Sequence, residues 1–109
     1  MSDDFYCTEI LSGRIQVERV FETDHVLAYH HTNPLWPVHI IVIPKVHVES
    51  FLTLLDEDSE LVMEVISVLK KVVTLVTKKH GGCRLTTNFG NCQQTKHLHW
   101  HVYFGNMMS

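Results

Sequence analysis

Seven residues constrain this chain most: Val38-His39-Ile40-Ile41-Val42-Ile43-Pro44. β-Branched side chains dominate the run, and they suit a pleated, packed surface. An almost unbroken apolar run leaves no polar face, so a strand here is covered on both sides. Such a strand needs neighbours in a sheet and layers above and below it. One covering layer is legible. Residues 57–79 carry a polar stripe of Glu57, Glu60, Glu64, Ser67, Lys71, Thr74 and Lys78, stepping by three and four. Leu61, Val62, Val65, Leu69, Val72, Val73 and Val76 lie on the opposite arc, as on a long amphipathic helix. Acids (Asp56, Glu57, Asp58, Glu60) gather at its start and lysines (Lys70, Lys71, Lys78, Lys79) towards its end, both matching the helix dipole. Gly81 and Gly82 supply a left-handed stop.

The remaining segments fill in a sheet. Residues 16–22 and 25–30 read as two strands around the Thr23-Asp24 turn. The prolines of TNPLWP force a loop before Val38. Residues 48–55 read as a short helical turn, and residues 4–12 as a short helix or turn closing at Gly13. Residues 83–89 and 97–104 read as two more strands, joined by the polar loop GNCQQTK. The expectation is an α+β fold: about five antiparallel strands, one long helix and a short N-terminal helix, in a single domain over residues 1–109.

Charge and cysteine content limit the partners. The net charge of −3 lacks the cationic excess of a general nucleic-acid or membrane-surface binder, so neither partner is expected. Cys7, Cys83 and Cys92 are odd in number and widely spaced, which argues against a disulfide framework and for a reducing, cytoplasmic setting. The acidic N-terminus MSDDFYC has neither a basic nor an apolar leader segment. Histidine is the anomaly: of nine, three fall within residues 97–101.

Those three alternate with Leu98, Trp100 and Val102. On a strand, His97, His99 and His101 share one face and the apolar residues share the other. Three chemical readings are open. The histidines can be ordinary hydrogen-bonded residues. They can ligate a transition metal, although no carboxylate follows Glu64 to complete such a site. Or they can perform nucleophilic catalysis, because a neutral imidazole can attack phosphorus and form a covalent intermediate. Crowded imidazoles discourage one another's protonation, and a neighbouring acceptor can hold the far nitrogen as N–H. His99, with a helper on each side, is then the natural nucleophile.

The run His97-Leu98-His99-Trp100-His101-Val102-Tyr103 resembles the signature of the histidine triad family of nucleotide hydrolases and transferases. ETDHVLAYHHTNPLWPVHIIVIPKVHVESF is similar to the family's first half, LTTNFG to its penultimate strand, and QQTKH to the approach to the triad. The resemblance spans residues 5–105. It implies that His99 becomes nucleotidylated, that His97 and His101 assist at the phosphate, and that His39 supports the triad from the neighbouring strand. It implies substrate contacts from Asn88, Gln93, Gln94, His31 and Thr32. The implied substrate is an adenosine (purine) nucleotide phosphoramidate, ester or anhydride, and the implied assembly is a homodimer joined edge to edge. No cofactor and no metal are implied for the bond change.

Several positions depart from the family pattern. His31 stands where many members carry a ribose-gripping aspartate, and Gln94 where a serine or threonine is usual. The loop before the triad is about two residues short. Some bacterial members bind zinc through an N-terminal cysteine pair, and only Cys7 is present here, so that site is not expected. His47 reads as structural. Trp36 reads equally as a loop anchor or a nucleobase wall, and Trp100 as core or dimer contact. A nucleotide-binding module without turnover is the rival reading, motivated by His31 and Gln94.

Overall fold

The computed structural model describes residues 4–56 and 59–108. After an N-terminal turn, Tyr6–Ile10, come strands β1 (Arg19–Glu22), β2 (Val26–His30) and β3 (Val38–Pro44). A short helix α1 (Phe51–Leu54) and a long helix α2 (Ser59–His80) follow. Strands β4 (Arg84–Thr87) and β5 (Trp100–Phe104) complete the chain. The strands form one antiparallel sheet in the order β1-β2-β3-β5-β4. This is the α+β architecture expected from the sequence, with the apolar run 38–44 as its central strand. The acidic residues Glu57 and Asp58 lie outside the described residues.

Each face of the sheet has its own core. Towards α2, Val26, Ala28, Ile40, Val42, Trp100 and Val102 pack against Val65, Val68, Leu69, Val72 and Val76. On the opposite face, Leu27, Tyr29, Ile41 and Ile43 pack against Tyr6 and Ile10 of the N-terminal turn. The alternation of Ile40 and Val42 with Ile41 and Ile43 explains why β3 has no polar side. Each such buried aliphatic chain stabilises the fold by roughly 1.5–3 kcal/mol relative to exposure.

The second face is covered only in part. The N-terminal turn lies over the Ile41 and Ile43 end. Beyond it, His39 of β3 and His101 and Tyr103 of β5 occupy the same face. His39 pairs with Tyr103 and Ile41 with His101, so His39 and His101 are diagonal neighbours across the ladder. At the end of β5, Gly105 adopts φ +99°, and a Cβ there would lie 2.9 Å from Pro37. Only glycine lets the chain leave the sheet so close to the loop that carries Trp36.

The last strand is shorter than residues 97–104. It begins at Trp100, and His97 lies in a bend. The Leu98 amide donates to the Val48 carbonyl, outside the ladder, at 2.6 Å. That bond docks Leu98 into the α2-side core. The ladder therefore starts only at residue 100, while the alternation continues before it: Leu98 joins Trp100 and Val102 in the α2-side core, and His97 and His99 both lie against Tyr6 on the opposite face.

Candidate active site

A cavity of about 500 Å³ opens on the partly covered face. His31, His39, His99, His101, Asn88 and Gln94 line it, joined by Tyr6, Leu35, Trp36, Thr86, Cys92, Thr95 and Tyr103. Trp36 stacks on Tyr103 at 4.1 Å between ring centroids, so it is a wall of this cavity. Tyr6 lies against His99 at 4.8 Å.

The hydrogen bonds determine where each imidazole carries its proton. His99 Nδ1 lies 2.8 Å from the His97 carbonyl, which only accepts. The Nδ1–H therefore donates, and Nε2 keeps its lone pair. The Leu35 amide donates to His39 Nδ1 at 3.1 Å, which leaves the His39 proton on Nε2. That Nε2–H donates to His101 Nδ1 at 2.9 Å, so neutral His101 carries its own proton on Nε2. His99 and His101, 5.2 Å apart by ring centroid, thus offer a nucleophile and a donor side by side. The Asn33 amide likewise donates to His31 Nδ1 at 2.9 Å, and His31 stacks on His39 at 4.4 Å.

Burial keeps these rings neutral. Desolvation, with His31 and His101 adding repulsion, pushes His39 down to about 4. Desolvation, with His99 and His31, does the same to His101, also to about 4. Burial also lowers His99, against the hydrogen bond to the His97 carbonyl, which acts in the opposite direction. His31 is lowered by burial and by His99.

Three residues expected at the site lie elsewhere. His97 is fully buried, with Nε2 2.9 Å from the Pro44 carbonyl and Nδ1 2.7 Å from Asp4 Oδ2. It reaches the cavity only through its carbonyl on His99. Gln93 is buried and donates its amide to the Glu49 carbonyl at 2.6 Å, bracing the loop before the triad. Thr32 is exposed and does not line the cavity. Sequence reasoning missed Tyr6 and Thr95. The Thr95 hydroxyl neighbours Gln94, which occupies the usual serine or threonine position.

A second cluster lies behind His99. Asp4, Cys7, His47 and His97 bring one donor atom each to within 4.8 Å of one another. Asp4 Oδ2 is bonded to both His47 Nδ1 and His97 Nδ1. Cys7 Sγ lies 3.5 Å from His97 Nδ1. Burial pushes the Asp4 carboxyl up. The Cys7 amide and the His97 and His47 imidazoles outweigh it and hold the carboxyl well below the usual range. Burial and the adjacent Asp4 push the Cys7 thiol up to about 11. Both ring nitrogens of His97 face oxygen acceptors, yet a neutral imidazole has one N–H. Two imidazoles, a thiolate and a carboxylate form a donor set that fits a tetrahedral zinc-type ion. Asp4 takes the place of the absent second cysteine.

The HIT domain profile matches residues 12–106. The chain belongs to the HIT domain family. It is 37% identical over 106 residues to "Adenylylsulfatase HINT1" of Arabidopsis thaliana, covering 93% of this chain and 71% of that protein. It is 35% identical over 106 residues to a "14 kDa zinc-binding protein" of Zea mays, covering 93% of this chain and 81% of that one. Among solved structures, a HIT family hydrolase from Legionella pneumophila Philadelphia 1 superposes with a TM-score of 0.79 at 30% identity. That match covers 98% of this chain and 96% of the other. The five-stranded sheet with one long helix is therefore the family's fold, and the triad lies within the matched span.

Proposed function

We propose that this protein is a nucleotide hydrolase or transferase acting at the α-phosphorus of an adenosine nucleotide phosphoramidate, ester or anhydride. His99 Nε2 attacks phosphorus, the bond to the leaving group breaks as that group takes a proton from water, and a nucleotidyl-histidine forms. Water then attacks that adduct, releases the nucleoside monophosphate and restores the free imidazole. His101 Nε2–H donates to a phosphoryl oxygen, and His39 holds His101 in that tautomer. A positioned proton donor of this kind is typically worth ~10²–10⁴-fold.

The observation that carries the reading is the His99 Nδ1–H bond to the His97 carbonyl, at 2.8 Å. It leaves the opposite nitrogen unprotonated beside a cavity of nucleotide size. The adenylylsulfatase and hydrolase names of the relatives support an adenylyl substrate and hydrolysis. The zinc-binding name of the maize relative supports a structural ion at the Asp4 cluster, away from the bond change. Asp4, Cys7, His47 and His97 would hold that ion, which would tie the N-terminal turn to the triad segment.

A homodimer joined along the β4 edge belongs to the same reading. β4 is one of the two outer strands of the sheet, with β1 at the other edge, and Leu85 on β4 is exposed. A rival, a nucleotide-binding module without turnover, is favoured by His31. One of its nitrogens is already taken by the Asn33 amide, which leaves a single N–H for a ribose. One assay separates the two: incubation with an adenosine phosphoramidate, following AMP release and the adenylylated protein by intact mass. The proposal expects release, an adduct in acid-quenched samples, and loss of both in His99→Ala. Tight AMP binding with no release from phosphoramidate, ester or anhydride would select the module.

A further inference from the structure

The cavity holds no permanent charge of its own. Among the described residues, no side chain that lines it is an acid, a lysine or an arginine. Burial keeps His31, His39, His99 and His101 neutral. Hydrogen bonds alone receive the single negative charge of an α-phosphoryl group there. A second negative charge on the substrate would stand uncompensated in a partly shielded site, and an unpaired charge taken out of water is costly. Compensation for it stands on β4, at the rim.

Directly opposed residues on neighbouring strands share a face of the sheet. Thr86 is paired with His101 and Arg84 with Tyr103, so both β4 residues stand on the cavity face. Thr86 and Tyr103 line the cavity. Arg84 stands one step beyond Thr86, roughly 7 Å further along the strand and about 5 Å from Tyr103 between backbones. Leu85 faces the other way with Val102, so pairing along the β4 edge uses backbone and leaves Arg84 over the sheet face. Its guanidinium is uncommitted. Arg19 is held by Glu22 at 2.9 Å and Arg14 by Glu9 at 3.9 Å, and Lys96 gives its ammonium to the Gly90 carbonyl at 2.7 Å. Among the described residues no such partner meets Arg84, which is exposed. The two ends of the cavity therefore differ. Tyr6, against His99, keeps apolar company with Ile10, Ile41 and Ile43 and suits an uncharged nucleoside. The Tyr103 end carries the free cation and suits a charged group.

We propose that Arg84 is a specificity-determining contact that favours substrates whose leaving group carries an acidic group of its own over their uncharged counterparts. The guanidinium pairs with that charge through its fork of parallel N–H donors. It takes no part in the breaking bond, which lies between phosphorus and the departing atom. The exposed rim sets the size of the effect, because an ion pair in contact with water is weak and screened by salt. The effect on turnover rests on the reaction proposed above; the contact between Arg84 and a charged end of the substrate is a statement about binding and does not.

The test compares two adenosine phosphoramidates of equal length, one of β-alanine and one of β-alaninamide, which differ only in a terminal carboxylate or amide. At low salt the full chain is expected to show about fivefold higher kcat/KM for the β-alanine conjugate, the upper reach of an exposed pair. The preference is expected to lie mainly in KM and to shrink towards unity in about 0.5 M salt. Arg84→Gln is expected to bring the ratio to about one, with the larger loss on the β-alanine conjugate. Arg84→Lys, which keeps the charge without the fork, is expected to hold a ratio of about two to three. A parent ratio at or below one would overturn the proposal. So would a ratio that survived in Arg84→Gln, or equal losses on the two conjugates, which is what a purely structural role would give. If neither conjugate is turned over, the functional reading alone falls, and calorimetric Kd values for both conjugates in the parent and in Arg84→Gln decide the contact. A preference for the β-alanine conjugate that vanishes with Arg84 upholds it; equal affinities, or no binding of either, overturn it.

Discussion

His39 Nε2 lies 2.9 Å from His101 Nδ1, and the Leu35 amide on the far side of His39 sets the direction of that bond. The chain Leu35–His39–His101 works as a one-way series of donors ending at His101 Nε2–H. Replacing His39 with phenylalanine keeps a ring beside Trp36 but removes the donor. His101 is then free to carry its proton on either nitrogen. The expected outcome is a loss of about 10²-fold in kcat, in the range for a misplaced proton donor. KM changes less. Steady-state kinetics on an adenosine phosphoramidate check this, with circular dichroism confirming that the variant folds.

Acidification acts on the same pair. Unfolded, each imidazole takes up its proton near 6.5; folded, His39 and His101 do so only near 4. Between those values the unfolded chain binds more protons, so stability rises with pH. The contribution is complete above 6.5 and is lost as pH falls towards 4. Urea midpoints are therefore expected to drop between pH 7 and pH 4.5, and to drop less in His101→Gln. Activity is expected to fall on acidification as well, because protonated His99 has no lone pair to offer.

The parts of this fold with a repeating pattern were legible before any coordinates. The run Val38–Pro44 is legible from its unbroken β-branched composition and α2 from the helical period of its polar stripe, and both stand as expected. What differs is the length of the last strand, because a tertiary bond from the Leu98 amide to Val48 takes residues 97–99 out of the ladder while their faces still alternate. His39, His99 and His101 were placed together by motif and strand order. Asp4 was invisible beside His97 because 93 residues separate them. A search for a metal-completing carboxylate confined to the triad's own end of the chain could not find it. Tyr6 was missed for the same reason: local patterning shows a residue on a short turn, and only packing shows what the turn covers.

Asp4 is expected to matter for stability out of proportion to its place near the chain end. It is almost wholly buried and bonds His47, His97 and the Cys7 amide. Asp4→Ala leaves the fully buried His97 ring facing no anion, and breaking a buried pair in this way costs about 3–5 kcal/mol. Glu9→Ala, which removes a long contact to exposed Arg14, is expected to cost less than about 1 kcal/mol. Chemical denaturation of both variants in chelator-treated buffer measures the contrast.

Gly105 links backbone geometry to the cavity wall. Its φ of +99° disfavours any side chain, and a Cβ would meet Pro37 Cγ and Cδ at 2.9 Å. The loop holding Pro37 also presents Leu35 and Trp36 to the cavity, and it is held from the other side by the Met108 amide on the Leu35 carbonyl. Gly105→Ala is expected to cost about 1–3 kcal/mol through strain. It is also expected to push the loop outward, loosening the Trp36–Tyr103 stack and raising the Kd for AMP several-fold. Gly82→Ala provides the contrast, because that glycine has no positive φ and a Cβ there meets nothing within 4 Å. Its AMP affinity is expected to match the parent protein in calorimetric titration. Equal affinities for the two variants would show that the loop yields without disturbing the wall.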